Sequence, residues 1–323
     1  MHPAFSVIFF TTLIGVGQGL FLALYAGELL TRFGDIGAPD GGSFYALGSA
    51  ISVLFLGIGL AASFLHLGRP ERAWRAAAMW RTSWLSREVI VLPAFIGIVF
   101  LYGVAHYFAW GTGGDSSTTG SVPLALGGIA VILCLALFVC TGMIYACIKF
   151  MQEWASPLTL VNYFLLGSAS GFTLATAFAF FTAPDLWRIY GVTATVLTLA
   201  ALTTRAASLY RNARIKPKSS LQTATGIRHP RIVQKAQGAM GGSFNTREFF
   251  HGKNPQFLRS VKWGFVVLAF VVPVLLLGVG LAMASAALLA IAFVIQYVGL
   301  IAERWFFFAQ ANHPQNLYYQ AIS

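Results

Sequence analysis

Residues 3–30 read PAFSVIFFTTLIGVGQGLFLALYAGELL, and this stretch decides the fold. Its one charged residue, Glu28, comes near the end. A bilayer's hydrocarbon core is about 30 Å thick and a helix rises about 1.5 Å per residue, so about 20 apolar residues cross it. The run is too long for the apolar part of a secretory signal, and the start, Met1-His2-Pro3, has no Lys or Arg. It reads as a first membrane span.

Seven further stretches repeat the pattern. The expected spans are Pro3–Leu30, Ser43–Leu65, Glu88–Phe108, Leu124–Phe150, Leu158–Phe181, Trp187–Ala207, Leu258–Leu281 and Met283–Ala302. The last two are divided at the small residues from Ala282 to Ala287. The composition agrees: 57% of the 323 residues are hydrophobic and 10% charged, where a soluble domain carries about a quarter charged. The expectation is an all-α polytopic bundle of about eight transmembrane helices. It forms a single membrane anchor domain over residues 1–323, with a long basic loop at 205–257. No internal repeat is evident.

Charge sets the orientation. An even number of spans puts both termini on one side, together with His66–Arg87, Lys149–Pro157 and the long loop. Of the 21 Lys and Arg, only Arg32 and Arg188 lie toward the other side, which carries Asp35, Asp40, Asp115 and Asp185 instead. The short loop alone holds Arg69, Arg72, Arg75, Arg81 and Arg87. The basic side is therefore expected to be cytoplasmic, in a bacterial inner membrane. The loop at 205–257 is either an orientation signal touching anionic lipid or a docking surface for a partner protein. It contains no nucleic-acid-binding module, so nucleic acid is not expected as a partner.

The chemistry concentrates at residues 66–88, HLGRPERAWRAAAMWRTSWLSRE. This stretch reads as a short interfacial helix between the second and third spans. Its arginines can snorkel to headgroups and its tryptophans can form an aromatic belt, with no ligand involved. His66 and Glu88 are less easily explained that way, because ionisable groups at a membrane boundary are functional candidates by default. A quinone, ubiquinone or menaquinone, needs a hydrogen-bond donor, a proton route and an apolar slot. His66 could donate, Glu88 could exchange protons with water, and an Arg could stabilise negative charge on a partly reduced ring. Arg69, Trp74, Arg75, Trp84 and Arg87 complete this candidate set, with Gln18 and Tyr145 from inside spans. Gln18, Tyr145, Gln296 and Tyr297 are equally readable as polar glue between helices. Glu28 could belong to a proton path or simply sit at the interface.

Haem is not expected. Only His66 and His106 lie near spans, and the eighteen residues from Glu88 to His106 correspond to about 27 Å of helix, so the two histidines fall at opposite faces. Cys134, Cys140 and Cys147 share one span without metal-site or disulfide spacing and read as packing residues.

The segments HLGRPERAWRA (66–76), RTSWLSRE (81–88), MIYACIKFMQEW (143–154), SPLTLVNYFLLG (156–167) and ERWFFFAQANHPQNLYYQ (303–320) together resemble the dimethyl sulfoxide reductase anchor-subunit family. The likeness covers nearly the whole chain. It implies eight spans, no haem, and electron passage between a membrane quinone and an iron–sulfur subunit that serves a molybdenum catalytic subunit. It also implies quinol-binding roles for the residues at His66 and Glu88. GGSFNTREFFHGKNPQF (241–257) resembles anchor subunits of cytoplasm-facing sulfite dehydrogenases. The expected function is therefore to carry electrons from cytoplasmic sulfite oxidation to the quinone pool, with no sulfur chemistry on this chain. Quinol oxidation in a complex of the dimethyl sulfoxide reductase type, a purely structural anchor and a secondary transporter are the alternatives. Charges gathered at one face speak against the transporter, which usually places polar groups near the midplane.

Overall fold

The computed structural model describes residues 3–34, 36, 37, 39, 42–65, 67, 69–111, 120–216, 218, 220–233, 235 and 254–311. His66, residues 236–253 and the end of the last quoted segment, 312–320, lie outside them.

Among the described residues, eight helices are long and apolar enough to span a membrane. They are α1 (Pro3–Phe33), α2 (Ser43–Phe64), α3 (Trp84–Tyr107), α4 (Ser121–Ala146), α5 (Pro157–Thr182), α6 (Trp187–Asn212), a seventh built from α8 (Pro255–Val266) and α9 (Val272–Met283), and α10 (Ala286–Ala309). A π-helical turn, Val267–Val271, joins α8 to α9. A 3-10 helix, Pro70–Met79, connects α2 to α3, and α7 (Leu221–Thr225) is a single short turn. Among the described residues there is no strand. This is the all-α polytopic fold expected from the hydropathy.

Local chemistry places the helix ends. Ser83 caps α3 by accepting from the Ser86 amide at 3.3 Å. Ser156 caps α5 on the Leu158 amide, and Pro157 occupies the first turn, where its missing N–H costs nothing. The break between the last two spans falls at Ala284, whose φ of 48° is left-handed, and Ser285 then donates its amide to Gly280 O at 3.0 Å. That is inside the interval the small residues marked.

Two helices form the centre. The spans of α1 and α5 are 72% and 61% buried, against 39% or less for the others. Their contact rests on two Gly-x-x-x-Gly pairs, Gly15/Gly19 on α1 and Gly167/Gly171 on α5. A Cβ at Gly171 would lie 2.1 Å from Gly19 C, and one at Gly19 would lie 2.2 Å from Gly167 O. In lipid, where burying apolar surface gives little gain, such close backbone approach supplies the van der Waals contact that holds helices together. Gly299 of α10 does the same against the π turn, where a Cβ would meet Ala269 N at 2.3 Å.

Most ends shift by a turn or less from the expected bounds, and two helices overrun them by more. Helix α6 runs on to Asn212, so Arg205 lies inside a helix at 2% exposure rather than opening the basic loop. Helix α10 runs on to Ala309, so Arg304 lies within it at 5% exposure. Both cations are kept inside by Glu303, as described below.

Candidate functional site

The polar residues of α1, α4, α5 and α10 meet in one cleft. It is narrow, with about 20 Å³ of enclosed space, room for about one water-sized group, and it opens at its mouth. Phe10, Ile14, Phe138, Leu166 and Leu300 form its apolar walls, and Thr11, Thr12, Gln18, Thr141, Tyr163, Ser170 and Arg304 its polar positions. These residues come from the first half of α1, the end of α4, the start of α5 and the end of α10. The cleft therefore occupies the half of the bundle nearest the arginine-rich face.

Glu88 is one turn into α3, immediately beneath that face, and is 3% exposed. The Thr141 hydroxyl donates to Glu88 Oε1. Because Thr141 also lines the cleft, it joins the carboxyl group to the cleft wall. Gln18, at the middle of α1, donates from Nε2 to Cys134 O at 3.0 Å, which fixes its amide against α4. Tyr145 does not line the cleft. It stacks on Tyr163, which does, with ring centroids 5.8 Å apart, inside an aromatic cluster with Trp154, Phe307 and Phe308.

The 3-10 helix separates the other candidates. Arg69, Trp74 and Arg75 are exposed; Trp74 is 71% exposed, with the Arg75 guanidinium 5.5 Å from its ring centroid. Trp84 and Arg87 are half-buried at the start of α3. Arg87 lies 4.2 Å over the Trp84 ring and donates to Trp80 O at 2.9 Å and Arg81 O at 2.8 Å, closing the turn that delivers Glu88. So Glu88, Gln18 and, through Tyr163, Tyr145 are gathered at the cleft. Arg69, Trp74 and Arg75 form an outward surface. The placement of His66 falls outside the described residues. Gln296 and Tyr297 bond between helices, to Thr198 Oγ1 at 3.1 Å and to Thr12 Oγ1 at 3.4 Å.

Three charged residues beside the cleft are absent from the candidates the sequence suggests. Arg205 Nε of α6 lies 2.7 Å from Glu303 Oε1, and Arg304 Nη2 lies 3.5 Å from Glu303 Oε2. The adjacent Glu303-Arg304 in an otherwise apolar run was the available signal. Among the described residues, no group of His, Cys, Asp and Glu is arranged to hold a metal ion.

A second buried polar cluster sits at the opposite end of the bundle. Glu28, fully buried, accepts from the Tyr102 hydroxyl at 2.7 Å and lies 3.5 Å from His106 Nε2. The Tyr45 ring stacks on His106 at 4.5 Å. Glu28 is thus inside the bundle rather than at the interface. Between this cluster and the cleft lie Phe21, Leu24, Leu56, Phe95 and Val99, all fully buried and apolar.

The sequence model of the family described as DMSO reductase anchor subunit (DmsC) matches residues 1–319. The chain is 55% identical to a sulfite dehydrogenase subunit of Allochromatium vinosum, with both chains covered over their full lengths. It is 28% identical to the anaerobic dimethyl sulfoxide reductase chain YnfH of Escherichia coli K12, over 38% of this chain and 41% of that one. With eight apolar spans and a family match over nearly its whole length, this multi-pass membrane protein belongs to the DMSO reductase anchor subunit family.

Proposed function

We propose that this chain anchors an iron–sulfur subunit and a molybdenum catalytic subunit to the cytoplasmic face of a bacterial inner membrane, and passes electrons from sulfite oxidation to a quinone in the α1–α4–α5–α10 cleft. The observation that carries the reading is the Glu88–Thr141 pair: a buried carboxyl group linked to a cleft with apolar walls, just beneath the arginine-rich face. The full-length 55% identity to the Allochromatium vinosum sulfite dehydrogenase protein supports the choice of sulfite. The shorter similarity to YnfH keeps quinol oxidation as the second reading.

The side chains suit a quinone once the narrow walls part to admit it. Phe10, Phe138 and Leu166 give a ring apolar walls, and Gln18 Nε2, which carries two protons, can give one to a ring oxygen, whereas the hydroxyl protons of Thr141 and Ser170 are already given to Glu88 and Gly167 O. When bound, the quinone accepts two electrons and two protons and leaves as quinol. On the catalytic partner, sulfite and water give sulfate, two protons and two electrons, so the exchange balances. Glu88 holds a proton for delivery, and Thr141 bridges it to the cleft. Gln18 orients the ring. His66, retained from the sequence alone, is the second candidate donor. The fully buried apolar layer at Phe21, Leu24 and Phe95 supports proton uptake from the arginine-rich side only, so turnover moves little charge across the membrane. The exposed Arg and Trp side chains of the 3-10 helix, with the basic loop, form the docking surface for the iron–sulfur partner, surrounded by membrane lipid.

The test is mild purification of the chain from its native membrane. Molybdenum and iron arriving with two soluble subunits, and sulfite-dependent reduction of a short-chain quinone, are expected. An assembled, metal-containing complex that oxidises sulfite with an artificial acceptor but never reduces quinone would overturn the electron-transfer role.

A further inference from the structure

The charges beside the cleft do not cancel. Arg205, Glu303 and Arg304 are 2%, 1% and 5% exposed. Two guanidinium groups share one carboxylate, and among the described residues no other carboxylate lies within ion-pair distance of either. Arg205 Nε lies 2.7 Å and Arg304 Nη2 3.5 Å from the two oxygens of Glu303, so the trio carries one positive charge in excess, and of the two cations only Arg304 lines the cleft. Nε of Arg304 has no hydrogen-bond partner among the described residues. Its guanidinium is clamped 3.9 Å over the Tyr163 ring and 5.4 Å from that of Phe307, and it lines the cleft. A buried group with one positive charge in excess is costly at membrane depth, and an anion received beside its cleft-lining member would offset that charge.

We propose that Arg304 is the anion-binding group of the cleft, receiving the negatively charged oxygen of a reduced or partly reduced quinone ring, while Glu303, itself fixed by Arg205, and the Tyr163 ring hold it in place. This rests on the quinone reading above and adds a binding residue to it. The division of labour is chemical. Glu88 serves the proton, and Arg304, which cannot give one up at physiological pH, serves the charge.

The test uses the whole detergent-solubilised complex and two fluorescent probes: an alkyl 4-hydroxyquinoline N-oxide, an anionic mimic of quinol, and its uncharged O-methylated analogue. Arg304→Gln should weaken the anionic probe on the order of tenfold to a hundredfold, the loss of a charge-assisted hydrogen bond, and leave the neutral one unchanged. Arg304→Lys should fall between, since it keeps the charge without the fork. Sulfite oxidation with an artificial acceptor reports assembly. Equal weakening of both probes would assign Arg304 a structural role and overturn the proposal, as would anionic binding within about threefold of wild type. Should Arg304→Gln not assemble, the wild-type complex decides. A preference for the anionic probe supports Arg304, and equal affinity for the two overturns it. A wild-type complex that binds neither probe and reduces no quinone would refute the quinone reading itself.

Discussion

The contact between α1 and α5 predicts opposite outcomes for two Gly→Ala substitutions. At Gly171 the added methyl carbon would lie 2.1 Å from Gly19 C and Leu20 N, and 2.3 Å from Gly19 Cα. These are backbone atoms, so no side chain can swing aside. Ordinary contact begins near 3.4 Å, so the two helices must part by more than roughly 1 Å along their tightest stretch. Overpacking of this kind costs about 1–3 kcal/mol, at its upper end where backbone must move. At Gly97, on the outward side of α3, an added Cβ meets nothing within 4 Å. There the change removes only glycine's helix penalty and should be neutral or stabilising by up to about 1 kcal/mol. Thermal unfolding of both variants in the same detergent is the assay. Gly171→Ala should lower the midpoint on the order of 5 °C, while Gly97→Ala leaves it level or higher. Gly171 follows Ser170 on α5 and abuts Gly19, beside Gln18, so parting the helices also reshapes the cleft. Quinone reduction should therefore fall in the Gly171 variant even at temperatures where it is folded. A Gly171→Ala protein with the wild-type midpoint and wild-type quinone rate would refute the account of this interface.

Three further outcomes follow from the site and its charges. Glu88→Gln keeps an oxygen to accept from Thr141 but removes the ionisable proton, so quinone reduction should drop by about 10² or more while sulfite oxidation with an artificial acceptor continues; steady-state rates with the two acceptors, measured on one preparation, check this. Glu303→Gln leaves two buried guanidinium groups without their carboxylate and should destabilise the chain by about 3–5 kcal/mol, read as a lowered unfolding midpoint and yield. If the exposed Arg and Trp of the 3-10 helix grip the partner, the soluble subunits should wash off membranes between low and roughly 1 M salt, where screening falls to about 3 Å; retention at high salt would point to an apolar interface.

The spans, their number and the break near Ala284 were legible in the sequence, because hydrocarbon imposes a length and a composition that each helix must meet by itself. The turn from Pro70 to Met79 was legible for the same local reason: charged and aromatic residues there cannot continue a span. Glu88 was legible as a candidate, since a carboxyl group at a membrane boundary is conspicuous wherever the helix packs. What the sequence did not contain is which helices touch. The glycines around Gln18 were visible, but only the packed bundle sets Gly15 and Gly19 against Gly167 and Gly171 and so puts α1 and α5 at the centre. Arg205 and Arg304 were counted with the basic ends of their spans. Arg205 is buried because it pairs with Glu303 across the α6–α10 contact, about a hundred positions away in the chain, and Arg304 shares that carboxylate from the next position of α10. Glu28 and His106 likewise looked like boundary residues until α1 and α3 brought them to 3.5 Å. Local patterning fixes where a helix can exist, whereas the cleft and its charge balance come from contacts between helices distant in sequence, which only the tertiary structure decides.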